Sequence, residues 1–363
     1  MLFMFKILSI FLFVIISSIT FLHAENIYKT NIISSDTTNN LQKNSIISSV
    51  INDTTSCISI NEFTNAGARR WLIDGTQPFK TTKIKPISAI AFGSALTGIF
   101  VVQHIMQQNT IWKKVGDFHF AEDWQWSYAL DKGGHFYGGY ATSYVFSEAL
   151  MGIGFSWEAA TITGASLGLA YMSYIEVLDG KSQDFGFSPT DFYADVAGSV
   201  YYVLQHYVPF LQNISPKFMY VNPQWLGEKS RNEAESFIDD YSSQTFWLSF
   251  NIHNMLPEKI RGYWPKWLEL SVGYGVFSLC TPPGKNGLCD PAVSFPFSSA
   301  AWGNRSLMLS LDFNLVHLLP DGGSFWNWSK QSLNLFKLIP SPTVQFSDRG
   351  TKFYLLFPFK ISF

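Results

Sequence analysis

Between Pro86 and Tyr207 the chain passes four times through about twenty residues almost free of charge: Pro86 to Gln107, Asp131 to Met151, Trp157 to Leu178 and Pro189 to Tyr207. Each is long enough for about five helical turns. A stretch of that length and polarity either spans a bilayer or is buried on several sides. The first opens on a proline, contains Gly93, Ala95 and Gly98, and has His104 as its only ionisable group. Small residues recur four apart at Gly134/Gly138, Gly164/Gly168 and Ala194/Gly198, a spacing that lets helix backbones approach closely. The expectation is a compact helical bundle, in lipid or in water.

The exceptions to this apolar pattern are the informative residues. Asp131 and His135 are four apart, Glu176 and Asp179 three apart, and Asp191 and Asp195 four apart, so each pair shares a helical face. Carboxylates isolated among apolar side chains are costly, which predicts that all six converge at the ends of three packed helices. One reading makes the cluster structural, its members satisfying one another with Lys132 and Lys181 as counter-charges. The other makes it a site, with His135 as general acid or base and the carboxylates holding a divalent metal. The sequence has neither a nucleophile motif nor a dense metal-ligand signature, so the cofactor stays unknown and a divalent metal is only a candidate. Elsewhere the plainer readings are preferred. His104 and His206 read as packing residues, Glu148 and Glu158 as solvated or capping charges, and Trp124 and Trp126 as interface anchors.

After about Pro216 the period changes from helical to alternating. Apolar residues occupy every second position in Gln244 to Ile252, Leu268 to Val276 and Leu307 to Leu315, and again at Phe353, Leu355, Phe357, Phe359, Ile361 and Phe363. Strands of nine to eleven residues with one greasy face suit an outer membrane. Five or six strands are expected, fewer than the eight of a small barrel. The region is therefore a partial or oligomeric barrel, or a sheet covered by the helices, with Pro358 favouring an edge position for the last strand. The fold class is α+β, a bundle of about four apolar helices followed by an antiparallel β region.

The amino terminus points to export. Lys6 precedes an uncharged run from Ile7 to Leu22, and His23-Ala24 then gives way to Glu25-Asn26, the order of a signal peptide cut after Ala24. A retained anchor is the alternative, and no Cys stands near the junction. Residues 25–70 are rich in Asn, Ser and Thr and read as a poorly ordered polar leader. Cys280 and Cys289 bracket a turn-rich loop and form either a disulfide in an oxidising compartment or two free thiols; a zinc site is weaker because neither belongs to a Cys-x-x-Cys pair. Composition agrees with a membrane setting, since charged residues are only 14% and aromatic residues 17%. With 25 Lys and Arg against 27 Asp and Glu, no basic field exists to gather nucleic acid.

The residues Asp131-Lys132-Gly-Gly-His135-Phe136, Gly168, Glu176-x-x-Asp179-Gly180, Gly186-Phe187-Ser188-Pro-x-Asp191 and Asp195-x-x-Gly198 resemble, in that order, the YfiM-like family, an uncharacterised bacterial envelope family classed as domain of unknown function 2279. The likeness runs from about Trp126 to His206 and implies no established reaction. Lipoprotein members carry an amino-terminal lipobox Cys that this sequence lacks. The Asp-Lys-x-x-His helix start also has a more distant likeness to VanZ-like membrane proteins. Asp239-Asp240-Tyr-x-x-Gln244-Thr-Phe-Trp-Leu-Ser249 and Trp267 to Gly275 resemble longer Bacteroidetes-type relatives of the same family. The chain is expected to divide into a signal peptide (1–24), the leader (25–70), a helical domain (71–215) and an antiparallel β region (216–363). Its expected role is an envelope protein of unknown activity, associated with the outer membrane and without catalysis. A metal-dependent hydrolase or transferase acting on a lipid or cell-wall intermediate is the alternative, and a transport or assembly component the third. Expected partners are membrane lipid and envelope assembly components, not nucleic acid.

Overall fold

A computed structural model of the chain describes residues 56–124, 126–222, 240–280 and 302–359. Its helical part begins with a short hairpin, β1 (Thr64–Asn65) and β2 (Ala68–Arg69), followed by α1 (Pro86–Thr110), α2 (Leu130–Gly152), α3 (Trp157–Asp179) and α4 (Pro189–Tyr207). Residues 56–70 depart from the polar-leader expectation. Phe63 is fully buried with Leu72, Leu150, Met151 and Ala160, and Arg70 is buried against Glu148 at 2.5 Å. The polar composition concealed one aromatic anchor and one buried ion pair, and Glu148 is correspondingly not a solvated charge.

Local signals set the helix starts. Ser188 caps α4 by accepting from the Asp191 amide at 3.2 Å, with Pro189 in the first turn. Ser156 does the same for α3 through Ala159 at 3.4 Å. The entry to α2 is different: Ser127, Tyr128 and Ala129 all have left-handed backbone angles (φ 51°, 56° and 60°), a conformation that disfavours residues with a Cβ. The run is held by the Tyr274 hydroxyl, which donates to the Tyr128 carbonyl at 2.7 Å, and by the fully buried Leu130 against Val276.

Glycines set the spacing of α2, α3 and α4. A Cβ on Gly164 would lie 2.6 Å from the Ser147 amide nitrogen, and one on Gly168 2.8 Å from that of Ser143, so α3 lies backbone to backbone on α2. The α2–α4 contact uses Gly139 and Gly198. Of the expected pair on α2, Gly138 instead faces Met172, and Gly134 faces the Phe246 ring outside the bundle. Helix α1 is the one described helix with the length and hydropathy to cross a bilayer. It leaves Ile87, Ile90, Val101 and Ile105 exposed, while Gln103 and His104 bond to Tyr171 and Tyr174 of α3.

The second half is a six-stranded antiparallel meander in chain order: β3 (Ile214–Tyr220), β4 (Gln244–Phe250), β5 (Leu268–Cys280), β6 (Trp302–Phe313), β7 (Ser341–Ser347) and β8 (Gly350–Phe357). Short helices α5 (Ile252–Met255) and α6 (Glu258–Arg261) join β4 to β5; α7 (Leu315–Leu318) and α8 (Ser324–Leu333) join β6 to β7. The sheet is strongly curled. Phe357 of β8 reaches Trp247 of β4, ring centres 5.9 Å apart, and Met219 and Met308 complete that cluster. The free edge of β3 is covered by the segment leading into β7, which exchanges two backbone bonds with Phe218, a protection that sheet edges need.

The polarity of this sheet is reversed relative to a soluble one. The row Leu248, Val272, Leu309, Val344 and Phe353 runs across five strands on the outer face, and Leu248, Val272, Leu309 and Phe353 are exposed. The part around Phe218, Phe246, Tyr274 and Val276 is covered, by Tyr137, Leu130 and the glycines of α2. The inner face carries Lys217, Ser249, Glu269, Ser271, Asp312, Thr343 and Gln345, all buried. Lys217 Nζ lies 2.9 Å from Glu269 and 3.1 Å from Asp312, and Lys337 Nζ 3.4 Å from Asp312.

Phe357 does not share the outer face with Phe353 and Leu355. The pairing shifts by one residue between Ser341↔Phe357 and Thr343↔Tyr354, and such a bulge turns every later side chain to the opposite face. Pro358 follows β8, which is an edge strand. Ile361 and Phe363 lie outside the described residues, as do the proposed signal peptide and Cys289, and with it the Cys280–Cys289 pairing.

Candidate functional site

Two helix starts and one helix end meet at the site. Asp131 and Asp191 lie in the first turns of α2 and α4, where the helix dipole favours a carboxylate, and Glu176 lies in the last turn of α3, where it does not. His135 and Asp195 stand one turn further along α2 and α4. Glu176 is held by the Ser188 amide, which donates to Oε2 at 3.1 Å. The Ser188 hydroxyl also donates to Asp123 Oδ1 at 2.5 Å, so one residue caps a helix and ties two acids together.

His135 is the centre of the arrangement. Its Nδ1 is 3.1 Å from Asp195 Oδ1 and 3.5 Å from Glu176 Oε1, and its Nε2 is 3.8 Å from both Asp131 Oδ1 and Asp191 Oδ2. Lys132 takes the other side of the acids, with Nζ at 2.7 Å from Asp191 Oδ1, 2.7 Å from Asp123 Oδ1 and 3.1 Å from Asp131 Oδ2. Five carboxylates thus surround two cationic side chains. All but Asp123 are nearly inaccessible, while the imidazole retains about 15% exposure.

Burial raises the proton affinity of the uncompensated acids. It pushes Glu176 up to about 8, partly opposed by His135, and Asp191 up to about 8, with Asp131 adding repulsion. Asp195 is also raised, chiefly by burial. Asp131 goes the other way: burial opposes its charge, but His135, Lys132 and the Tyr241 bond outweigh that and hold it below the ordinary carboxylate range. Burial likewise opposes protonation of His135, and its bond to Asp195 with the charges of Asp131 and Asp191 raises it well above the ordinary imidazole value.

Five of the six expected residues therefore converge, and Asp179 does not. It is the last residue of α3, and its Oδ1 accepts from Trp112 Nε1 at 2.5 Å in the segment after α1, although its charge still reaches Glu176. Lys181 is exposed and supplies no counter-charge to the cluster. Two contributors lie outside the expected set. Asp123 belongs to the stretch read as an interface anchor, and Tyr241 precedes β4 and donates to Asp131 Oδ1 at 2.6 Å. His206 packs edge-on against Trp157, as expected of a packing residue. Two overlapping groups, Asp131/His135/Asp191 and His135/Glu176/Asp195, have the donor types and spacing to hold a cation.

The motif residues that form this centre lie in a stretch that is similar to a known sequence family. Residues 119–207 match the family DUF2279, described as a predicted periplasmic lipoprotein. The DUF2279 match begins before the expected start at Trp126 and so takes in Asp123 as well as His135, Glu176, Asp191 and Asp195. Its description agrees with an envelope location at the periplasmic face of a membrane and names no activity. The DUF2279 match ends at residue 207, before β3, and does not extend to the sheet. No curated protein and no solved structure matches the chain.

Proposed function

We propose that this is an outer-membrane-associated envelope protein whose curled sheet meets lipid and whose helical region presents the His135 centre to the periplasm. The observation that carries the reading is the reversed polarity of the sheet. Water favours the opposite arrangement, with polar residues outside, whereas an outer-membrane strand alternates apolar-out and polar-in. An exposed row of Leu248, Val272, Leu309 and Phe353 backed by buried Lys217, Glu269 and Asp312 fits lipid outside and a wet or ion-paired interior. Membrane lipid is the proposed partner, with envelope assembly components as further ones. The domain division at about residue 216 follows the same logic, the helical part ending where alternation begins. Density-gradient separation of inner and outer membranes tests the reading. Recovery with outer-membrane markers, resistant to salt and carbonate washes, supports it, and recovery in the soluble periplasmic fraction overturns it.

A second reading, a metal-dependent hydrolase or transferase acting on a lipid or cell-wall intermediate, is favoured by one observation. The His135 imidazole is partly open to solvent while four of the five acids around it are almost inaccessible. A metal held there would polarise a phosphoryl or acyl oxygen or activate water. Glu176, protonated up to about pH 8, would supply a proton to a leaving group. Full in vivo function of an Asp191→Asn variant made at normal abundance would exclude this reading.

A further inference from the structure

We propose that the first turns of α2 and α4 bind one divalent metal ion through His135 Nε2, Asp131 Oδ1 and Asp191 Oδ2, with Asp195 orienting the imidazole. The proposal deepens the second reading above but asks only for binding, so a protein that binds the ion without catalysis would leave it standing.

The two sides of the imidazole are not equivalent. Nδ1 is engaged by Asp195 at 3.1 Å, a hydrogen-bond distance, and that contact places the proton on Nδ1. Nε2 faces two carboxylate oxygens at 3.8 Å, too far for hydrogen bonding, and becomes a lone-pair donor when an incoming ion displaces its proton. Ligand atoms about 2.1 Å from a common ion lie roughly 3 to 4 Å apart, depending on the angle between them. The gap on the Nε2 side has that width.

Each ligand also has an outer partner, as metal ligands generally do. Lys132 holds Asp191 Oδ1 and Asp131 Oδ2, which turns the opposite oxygens toward His135. Tyr241 steadies Asp131 from the sheet, and Asp195 completes a carboxylate–histidine–metal sequence. An independent observation comes from Asp195 itself. It is fully buried, gives one oxygen to His135, and has no hydrogen-bond partner for Oδ2. A wholly structural cluster would satisfy that atom. Two carboxylates and one imidazole suit Mn²⁺ or Zn²⁺ better than a softer ion, and three protein ligands leave coordination positions open to water or substrate.

The test is titration of the purified, chelator-stripped full-length protein with Mn²⁺, followed by loss of the free-ion paramagnetic resonance signal, beside elemental analysis of the protein as isolated. The expected result is one saturable site per chain that Zn²⁺ displaces. His135→Ala and Asp191→Asn should each weaken it at least about 100-fold, and Asp195→Asn about 10- to 100-fold through loss of orientation. Asp179→Asn, outside the cluster, should leave it unchanged. Circular dichroism establishes that each variant folds, and if His135→Ala does not, the near-isosteric Asp191→Asn decides. Absence of saturable binding below millimolar Mn²⁺, or equal binding by wild type and Asp191→Asn, overturns the proposal.

Discussion

Replacing Gly198 by Ala would separate two helices that the site requires to be close. A Cβ at that position would stand 2.0 Å from the Phe136 carbonyl oxygen and 2.9 Å from the Tyr140 amide nitrogen. Ordinary contact begins at 3.4 Å, so α2 and α4 must part by about 1.4 Å, and neither neighbour is a side chain that can rotate aside. Alanine brings back up to about 1 kcal/mol of helix propensity. Overpacking of a close-packed core costs about 1–3 kcal/mol and more against backbone, leaving a net loss on the order of 2 kcal/mol. At about 2–4 °C per kcal/mol for a chain of this size, thermal unfolding should shift down by roughly 4–8 °C. Because α4 carries Asp191 and Asp195, Mn²⁺ affinity should fall in the same variant. Gly93→Ala is the control: nothing lies within 4 Å of that Cβ, and its melting temperature should be unchanged or higher. A Gly198→Ala protein that melts with the wild type would refute the close approach of α2 and α4 on which the site's geometry depends.

Stability of the metal-free protein should decline from about pH 5 to pH 8, monitored by chemical unfolding. Glu176 and Asp191 keep protons up to about pH 8 when folded but release them in the ordinary carboxylate range when unfolded. Their contribution is thus complete at the acidic end and is lost as pH rises through about 8, at about 1.4 kcal/mol per pH unit for each proton. The raised affinity of His135 acts in the same direction above its ordinary value, and saturating Mn²⁺ should flatten the profile; stability that rises across this window would contradict the burial of these groups. Lys217→Met should cost about 3–5 kcal/mol, because Glu269 and Asp312 would stay buried with one partner fewer; proteolytic resistance of the sheet in detergent measures it, and an unaltered digestion rate would count against the buried interior. Phe63→Ala should cost about 3–5 kcal/mol, and a loss below 1 kcal/mol would return residues 56–70 to the status of a leader.

What the sequence disclosed and what it hid follow from how far each signal reaches along the chain. The bounds of α4 were legible because Ser188, Pro189 and the apolar period all act within one turn. Convergence of Asp131, His135, Glu176, Asp191 and Asp195 could be argued from the cost of isolated charge, which does not depend on knowing the packing. Asp179 shares the spacing of the others, and spacing alone cannot say that Trp112, 67 positions earlier, takes its carboxylate. Tyr241 joins Asp131 across 110 positions, and no local pattern announces such a contact. The strand alternation located β4, β5 and β6, but the bulge in β8 that turns Phe357 inward depends on pairing with Ser341. Glu148 reads in the sequence as a solvated or capping charge, and only the tertiary fold, by bringing Arg70 to it, makes it half of a buried pair.

The central claim, that the outer face of the sheet lies in lipid, is tested most directly by nitroxide labels in liposomes of outer-membrane phospholipid. Leu309→Cys and Val272→Cys mark the outer face and Thr343→Cys the inner, each in a background with Cys57, Cys280 and Cys289 replaced by Ser. The account predicts that labels at 309 and 272 collide readily with oxygen and rarely with a water-soluble nickel chelate, while the label at 343 is shielded from both. Ready collision of the 309 and 272 labels with the nickel chelate would place that face in water and contradict the account.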